Sequence, residues 1–466
     1  MSLEGVKEKF ESFIADVMMQ DHIPGLSLAI VKDGKVVYAR GFGARNLKAN
    51  LPATPDTLYA VGSCAKSFTA MSVMQLQEEG KLNVNDPVSK YLPDFKIGRK
   101  VSPIRIHHLL SHSSGIPLLG TVEVEVNRFL EGDEKWVPLS SVDDLMSYIN
   151  GAKDEVAAPP GERYFYLNEG YALLGLIVEK VSKMCYEDYV REKILKPLKM
   201  DRSGFPNQNL DKDADLATLY FVQRKENTIV PTSAVLPIDR LEYAGGGLMS
   251  SVKELANYVI ANMSGGVFEG ARVLGSKLLK EMHKPCVEVD VPGYFGKSCY
   301  GYGWVTNGDF FGHECVGHIG SILVSNADLR FVPDLNIGVA VASNNGAAES
   351  VFLIAPVVLG LLMGRDPMKE IPVFEIEKKM CRLVGEYESY KGISKISIVR
   401  KGVILFLESK EKLSEQNLAL IPEDDRLESF KFYMPAGGLK MPAEFVVDSS
   451  GKVDFYALGT RFHKVK

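Results

Sequence analysis

Tyr59-Ala-Val-Gly-Ser63-Cys-Ala-Lys66-Ser-Phe-Thr-Ala70 is the stretch on which the reading of this chain turns. From Ser63 to Leu82 the pattern is helical, with Phe68, Met71, Val73, Met74 and Leu76 on the inner face and Gly80 as a stop. Ser63 and Lys66 then stand three apart on one face of the first turn. Free backbone N–H groups and the positive end of the helix favour an anionic oxygen there. The same field, with desolvation by Phe68 and its neighbours, disfavours an ammonium and lowers the basicity of Lys66. A less basic lysine beside a serine hydroxyl is what proton abstraction at neutral pH requires. Alone, the motif reads as readily as an N-cap serine and a surface lysine.

Two further stretches change that balance. Gly161-Glu-Arg-Tyr-Phe-Tyr166-Leu-Asn168-Glu-Gly170 offers a phenol to relay a proton and an amide to bind a substrate carbonyl. Taken singly, Tyr166 and Asn168 suit packing and capping before the helix expected at Tyr171 to Lys183. Val316-Gly-His318-Ile-Gly320-Ser321 precedes a strand. Glycine there lets a substrate backbone approach, and His318 can donate a hydrogen bond into the cleft. A lone histidine is more often structural.

Together and in this order, the three elements resemble the active-site motifs of the serine β-lactamase and penicillin-binding-protein superfamily, above all the class C enzymes and the CubicO-type esterases and peptidases. His108-Leu-Leu-Ser-His112-Ser-Ser-Gly-Ile-Pro117 resembles the family's Leu-Leu-x-His-x-Ser-Gly segment. Ala244-Gly-Gly-Gly-Leu-Met-Ser-Ser251 resembles its Gly-Gly-x-x-Ser segment, and Pro197-Leu-Lys-Met200 its Pro-Leu-Gly-Met. The likeness runs from about Ile23 to Gly346. It implies Ser63 as the acylated nucleophile, Lys66 as base or proton shuttle, and Tyr166 as the partner that protonates the leaving group and activates water. Which of Lys66 and Tyr166 is the base stays open. It further implies an oxyanion hole from the backbone N–H groups of Ser63 and Ser321. Asn168 and Gly320 would bind substrate, while His112 and Gly115 would hold the loop and helix bordering the site. The family's Lys-Thr-Gly is His318-Ile319-Gly320 here, so a permanent charge gives way to one mostly absent at pH 7. Attraction for a penicillin carboxylate should weaken. Leu167, where class C enzymes often carry a small polar residue, reads as neutral.

Outward from these motifs, Leu3 to Met19 shows an amphipathic helix. Gly25 to Val31 and Lys35 to Gly41 form a hairpin through Lys32-Asp33-Gly34. Helical patches fill the middle to about Gly265. Strands return at Gly320 to Val332 and Ile337 to Ser343, linked by Pro333-Asp334-Leu335-Asn336, and Glu349 to Met363 reads as a helix. The class is α+β: an antiparallel sheet flanked by helices, with a helical subdomain. Gly364 to Pro372 reads as a linker. Beyond it, Val384 to Tyr390, Ile393 to Val399, Val403 to Glu408, Phe430 to Met434, Ala443 to Val447 and Val453 to Leu458 are short strand-like runs. They resemble the lipocalin-like barrel that follows the catalytic domain in some CubicO-type peptidases. The expected domains are 1–366, catalytic, and 373–466, a small all-β barrel.

Bulk properties narrow the function. Over 466 residues the net charge is −5, so no positive field invites nucleic acid. Met1 to Gln20 carries Glu4, Glu8, Glu11 and Asp16 and does not read as a signal peptide, and Val351 to Met363 is too short to span a membrane. The cytoplasm is the expected compartment. Six scattered cysteines suit core thiols in a reducing cytosol, with a Cys286–Cys299 or Cys299–Cys315 disulfide left open. No metal site or cofactor is expected: His107, His108 and His112 cluster without a carboxylate and read as packing a helix end. No Gly-x-Ser-x-Gly elbow or phosphate-binding loop occurs. The expected function is a serine peptidase or amidase on short peptides, D-residues included, acting as a homo-oligomer. A carboxylesterase or β-lactamase would use the same machinery, and a non-catalytic sensor of peptides or cell-wall fragments is the reading from another class.

Overall fold

The computed structural model describes residues 3–98, 102–132, 137, 139–208, 210–225, 228–290, 293, 295–346, 348–411 and 414–466. It divides into two units, Met1–Arg365 and Asp366–Lys466.

The first unit is built on a nine-stranded antiparallel sheet. Its strands are β1 (Gly25–Lys32), β2 (Lys35–Asn46), β3 (Leu51–Pro52), β4 (Val287–Glu288), β5 (Ser298–Tyr300), β6 (Val305–Phe310), β7 (His313–Ile322), β8 (Ser325–Val332) and β9 (Ile337–Ser343). Their order is β4-β5-β6-β7-β8-β9-β1-β2-β3. The α+β expectation is met. The hairpin at Asp33-Gly34 closes as the pair predicts: both residues have positive φ, 50° and 71°, the conformation a two-residue turn between twisted strands demands. Strand β9, Ile-Gly-Val-Ala-Val-Ala-Ser, is buried along its whole length, and β1 is buried apart from Lys32. Continuous apolar runs of this kind suit a sheet covered on both faces. Helices α1 (Glu4–Gln20) and α6 (Ile354–Leu362) pack together beside β9, and α5 (Val252–Met263) packs on β9 and β1.

Two local readings change. Gly320 to Val332 is not one strand but a hairpin, because β7 ends at Ile322 and β8 starts at Ser325. The middle, read as mostly helical patches with loops between them, also holds a hairpin in which Leu219–Lys225 pairs with Thr228–Ala234. The remaining helices include α2 (Ala65–Glu78), α3 (Thr121–Phe129) and α4 (Asn168–Ser182), with α2 packed against α4. Together they supply the helical part of a core that runs through Phe68, Met71, Tyr171, Leu174 and Trp304.

The second unit is a closed eight-stranded antiparallel barrel from Gly385 to Lys464. Its separate core gathers Tyr387, Ile398, Leu405, Phe432, Phe445 and Phe455. Six of its strands fall on the expected runs, while Ser414–Pro422 and Thr460–Lys464 are additional. The stretch read as a linker is largely helical: Pro367–Glu370 and Pro372–Leu383 each open with proline at the first position, where the missing N–H costs nothing.

Candidate active site

Gly62–Cys64 form one 3₁₀ turn that runs directly into α2. Gly62 has φ +53°, and a Cβ on it would stand 3.0 Å from the backbone nitrogen of Ser321. The turn therefore lies flat on β7, with Ser63 partly exposed. One helical turn on, Lys66 is completely buried. Its Nζ lies 3.0 Å from Ser63 Oγ, 2.9 Å from Asn168 Oδ1 and 2.8 Å from the Gly245 carbonyl. Asn168 is the first residue of α4, and two residues earlier Tyr166 sets its Oη 2.7 Å from Ser63 Oγ. One hydroxyl thus sits between an amine and a phenol. The structure brings Ser63, Lys66, Tyr166 and Asn168 into direct contact.

Burial dominates the electrostatics. It lowers the Lys66 pKa to about 7 against the opposing pull of Glu242 and Glu169. Burial likewise drives the Tyr166 phenol well above its ordinary value, so it stays protonated. The Lys66 ammonium position lies 4.8 Å from the centre of the Tyr166 ring and 5.5 Å from that of Tyr171. Cys64, beside the nucleophile, is buried, and its thiol donates to the His318 carbonyl at 3.0 Å. Desolvation pushes its pKa up, which leaves it inert as a nucleophile.

Along β7 the side chains alternate. Ile319 and Ser321 face outward, while His318 and Ile322 are buried. At Gly320 a Cβ would meet the Val61 carbonyl oxygen at 2.0 Å and the Ser63 nitrogen at 2.9 Å. Only glycine allows strand and turn to approach this closely, with the Ser63 nitrogen against Gly320 and the Ser321 nitrogen against Gly62.

His318 departs from expectation. It donates nothing into the cleft: Nδ1 lies 2.6 Å from the Ile319 carbonyl and Nε2 lies 2.7 Å from the Tyr300 hydroxyl. With Nδ1–H given to the carbonyl, Nε2 accepts from Tyr300, and no ring nitrogen is left for a ligand. Burial, with the nearby Lys66 charge, lowers its pKa to about 3.

Around these groups, one contact is new and others fill the structural roles read from the sequence. Gly245 supplies a carbonyl to Lys66 from the Ala244-Gly-Gly-Gly segment. His112, at φ +55°, accepts the Leu167 N–H at 3.0 Å and lays its ring 4.2 Å from that of Tyr166. It thereby fixes the Tyr166-Leu167-Asn168 stretch from behind. Gly115, at φ +83°, would carry a Cβ only 1.9 Å from the Ala158 carbonyl oxygen, which ties the same loop down. His108 accepts the Arg105 N–H at the start of its short helix. Among the described residues no three His, Cys, Asp or Glu side chains group to hold a metal ion. The six cysteines are all free thiols.

The chain belongs to the β-lactamase family, which residues 10–359 match, and residues 367–463 match the Pab87 octamerisation domain. Among solved structures, the octameric penicillin-binding protein homologue from Pyrococcus abyssi is 38% identical, with a TM-score of 0.89 over 98% of this chain and 99% of that one. A class C β-lactamase shares the fold at 22% identity and TM-score 0.63, covering 78% of this chain and 98% of its own. Protein flp of Staphylococcus aureus (strain MRSA252) is 29% identical over 340 residues, 72% of this chain and 63% of that protein. The chain thus spans less than two thirds of the length of that curated relative. Penicillin-binding protein 4 of Amycolatopsis lactamdurans is 27% identical over 397 residues, 83% of this chain and 97% of that protein.

Proposed function

We propose that this protein is a serine hydrolase that cleaves amide bonds of short peptides, including peptides with D-residues, through an acyl-enzyme on Ser63. The observation that carries the reading is the double contact of Ser63 Oγ, with Lys66 Nζ at 3.0 Å and Tyr166 Oη at 2.7 Å. A neutral Lys66 has two hydrogens and one lone pair. The hydrogens go to Asn168 Oδ1 and the Gly245 carbonyl, and the lone pair accepts the Ser63 proton. Attack by Ser63 Oγ on the substrate carbonyl then transfers that proton to Lys66, and the amides of Ser63 and Ser321 take the developing oxyanion. Tyr166 gives its proton to the leaving amine and later accepts one from the deacylating water, and Lys66 returns its proton to Ser63 Oγ as the acyl group leaves. Asn168 orients the substrate amide, and the Gly320 edge admits its backbone.

The charge distribution narrows the substrate. His318 is neutral and occupied, so it offers no fixed cation to the carboxylate of a penicillin. Peptide and ester carbonyls without an adjacent carboxylate are favoured over β-lactams. On this reading residues 1–366 form the catalytic module and 373–466 a barrel that builds a homo-oligomer. The octamerisation-domain match and the octameric relative support the latter. Sizing of the full chain tests it, a monomer being the contrary result.

A fluorophosphonate probe followed by intact-mass analysis tests the chemistry. One adduct on the wild type and none on Ser63→Ala is expected. Labelling that survives the substitution excludes Ser63.

A further inference from the structure

Behind Lys66, away from the cleft, the chain encloses carboxyl groups that the reaction above does not use. Glu169 is 0% exposed, Glu242 1% and Glu125 2%. Glu169 follows Asn168 in α4. Glu242 lies three residues before Gly245, and Thr121 opens α3.

Hydrogen counting fixes the protonation of two of them. Thr121 Oγ1 lies 2.8 Å from Glu169 Oε1 and 2.7 Å from Glu242 Oε1. A threonine hydroxyl has one hydrogen and cannot serve two anions at once. One carboxyl must therefore be the donor. Glu169 Oε1 also accepts the Thr121 N–H at 2.9 Å, which marks it as the anion. Glu242 is then the acid, giving its proton to Thr121 Oγ1. The second oxygens of both groups, Glu169 Oε2 and Glu242 Oε2, are buried without a hydrogen-bond partner among the described residues. The point a Cβ on Gly245 would occupy lies 3.4 Å from Glu242 Oε2 and 3.8 Å from Lys66 Nζ. Amine and acid thus both face the one space that a side chain at Gly245 would fill.

We propose that Glu169 and Glu242 hold a single proton between them through Thr121, and that their one remaining negative charge is the counter-charge Lys66 needs when it takes the Ser63 proton. The inference rests on the reading of Lys66 as base. Glu169 and Glu242 are positioning residues, acting through Lys66 and not on substrate.

Among the carboxyls gathered here, Glu242 and Glu169 are the ones that act on Lys66. Facing Glu242 are Glu169 from α4, Thr121 and Glu125 from α3, Asp239 from its own loop and Lys66 from α2. Burial, then the charge of Glu169, raises the Glu242 pKa, and burial with Glu242 and Asp239 raises that of Glu125. Facing Lys66 are the neutral rings of His112 and His318, the neutral thiol of Cys64 and the rings of Tyr166 and Tyr171. With no anion nearby, an ammonium in this dry setting would be too costly to form. With two anions, Lys66 would keep its proton and could not act as a base. One charge leaves it between those limits.

The test is a set of three variants, Glu169→Gln, Glu242→Gln and the double variant, read by the pH dependence of fluorophosphonate labelling at Ser63. If the pair shares one proton, the partner left in each single variant carries the charge. The acid limb then keeps its position in both. In the double variant it moves to lower pH by about one to three units. Additive steps in the single variants, or an unmoved limb in the double, overturn the proposal. Infrared difference spectra at neutral pH give a readout independent of activity. Wild type minus either single variant should show the C=O stretch of one protonated carboxylic acid, and a spectrum without that band also overturns it. A wild type that never labels at Ser63 but shows the band would defeat the hydrolase reading and leave the proton-sharing pair standing.

Discussion

The Tyr300 hydroxyl and Nε2 of His318 are 2.7 Å apart, and under the proposed function that contact limits what the cleft can recognise. It occupies the ring nitrogen that would otherwise face a ligand, while burial holds the imidazole neutral down to about pH 3. An anionic ester and its neutral counterpart should therefore keep a constant ratio of kcat/KM from pH 5 to pH 8. Taking the ratio cancels the titration of Lys66. A preference for the anion that climbs about tenfold on acidification would show that His318 charges and faces substrate.

The Lys66–Ser63–Tyr166 contacts predict the pH profile and its response to substitution. Turnover should rise through an acid limb near pH 7 as Lys66 loses its proton. Lys66→Ala should lower kcat/KM by about three decades or more and Tyr166→Phe by about two. The double variant should fall short of the product, because base and phenol act on one hydroxyl. Near-normal turnover in Lys66→Ala would remove it from the mechanism.

Lys66 also links activity to stability. Burial brings its folded-state pKa down from 10.5 to about 7, so over that interval the unfolded chain binds the proton more tightly. Relative to Lys66→Met, the wild type should gain stability as pH rises from about 7 to about 10, by at most about 1.4 kcal/mol per unit. Below that range the difference should be flat. Denaturant titrations of both proteins across the range measure it, and a parallel dependence would place Lys66 in solvent.

Gly320→Ala tests the approach of strand to turn. The added Cβ would meet the Val61 carbonyl oxygen at 2.0 Å, which side-chain rotation cannot relieve. Loss of about 2–4 kcal/mol of stability, or loss of Ser63 labelling in a folded protein, is expected. A variant with wild-type melting and labelling would mean that the two amides do not form one pocket.

Much of this was legible in the sequence because it is local. Ser63 and Lys66 share one helical turn, and β1 and β9 announce themselves as unbroken apolar runs. The Asp33-Gly34 pair forces its own hairpin. What escaped depends on contacts distant along the chain or on ambiguous punctuation. Pro367 and Pro372 read as breaks, yet each opens a helix. Ser414–Pro422 and Thr460–Lys464 are too polar to stand out as strands, and the Leu219–Ala234 hairpin lacks a glycine turn. The Tyr300–His318 contact depends on β5 and β7 lying on the two sides of β6, which no motif states. Thr121, Glu169 and Glu242 meet from three separate segments, so no local pattern announces the proton they share.

Gly62 and Gly320 join helix turn and strand with no side chain at the seam, so under the proposed chemistry the part that handles the reacting carbonyl has almost nothing left to vary. Diversity must enter from the rim. Ile319 on the outward side of that strand and Leu323 in the turn that follows it, 42% and 44% exposed, can change identity without disturbing the buried groups. An enzyme built this way separates what it does from whom it does it to, and laboratory evolution of its selectivity has an obvious place to begin.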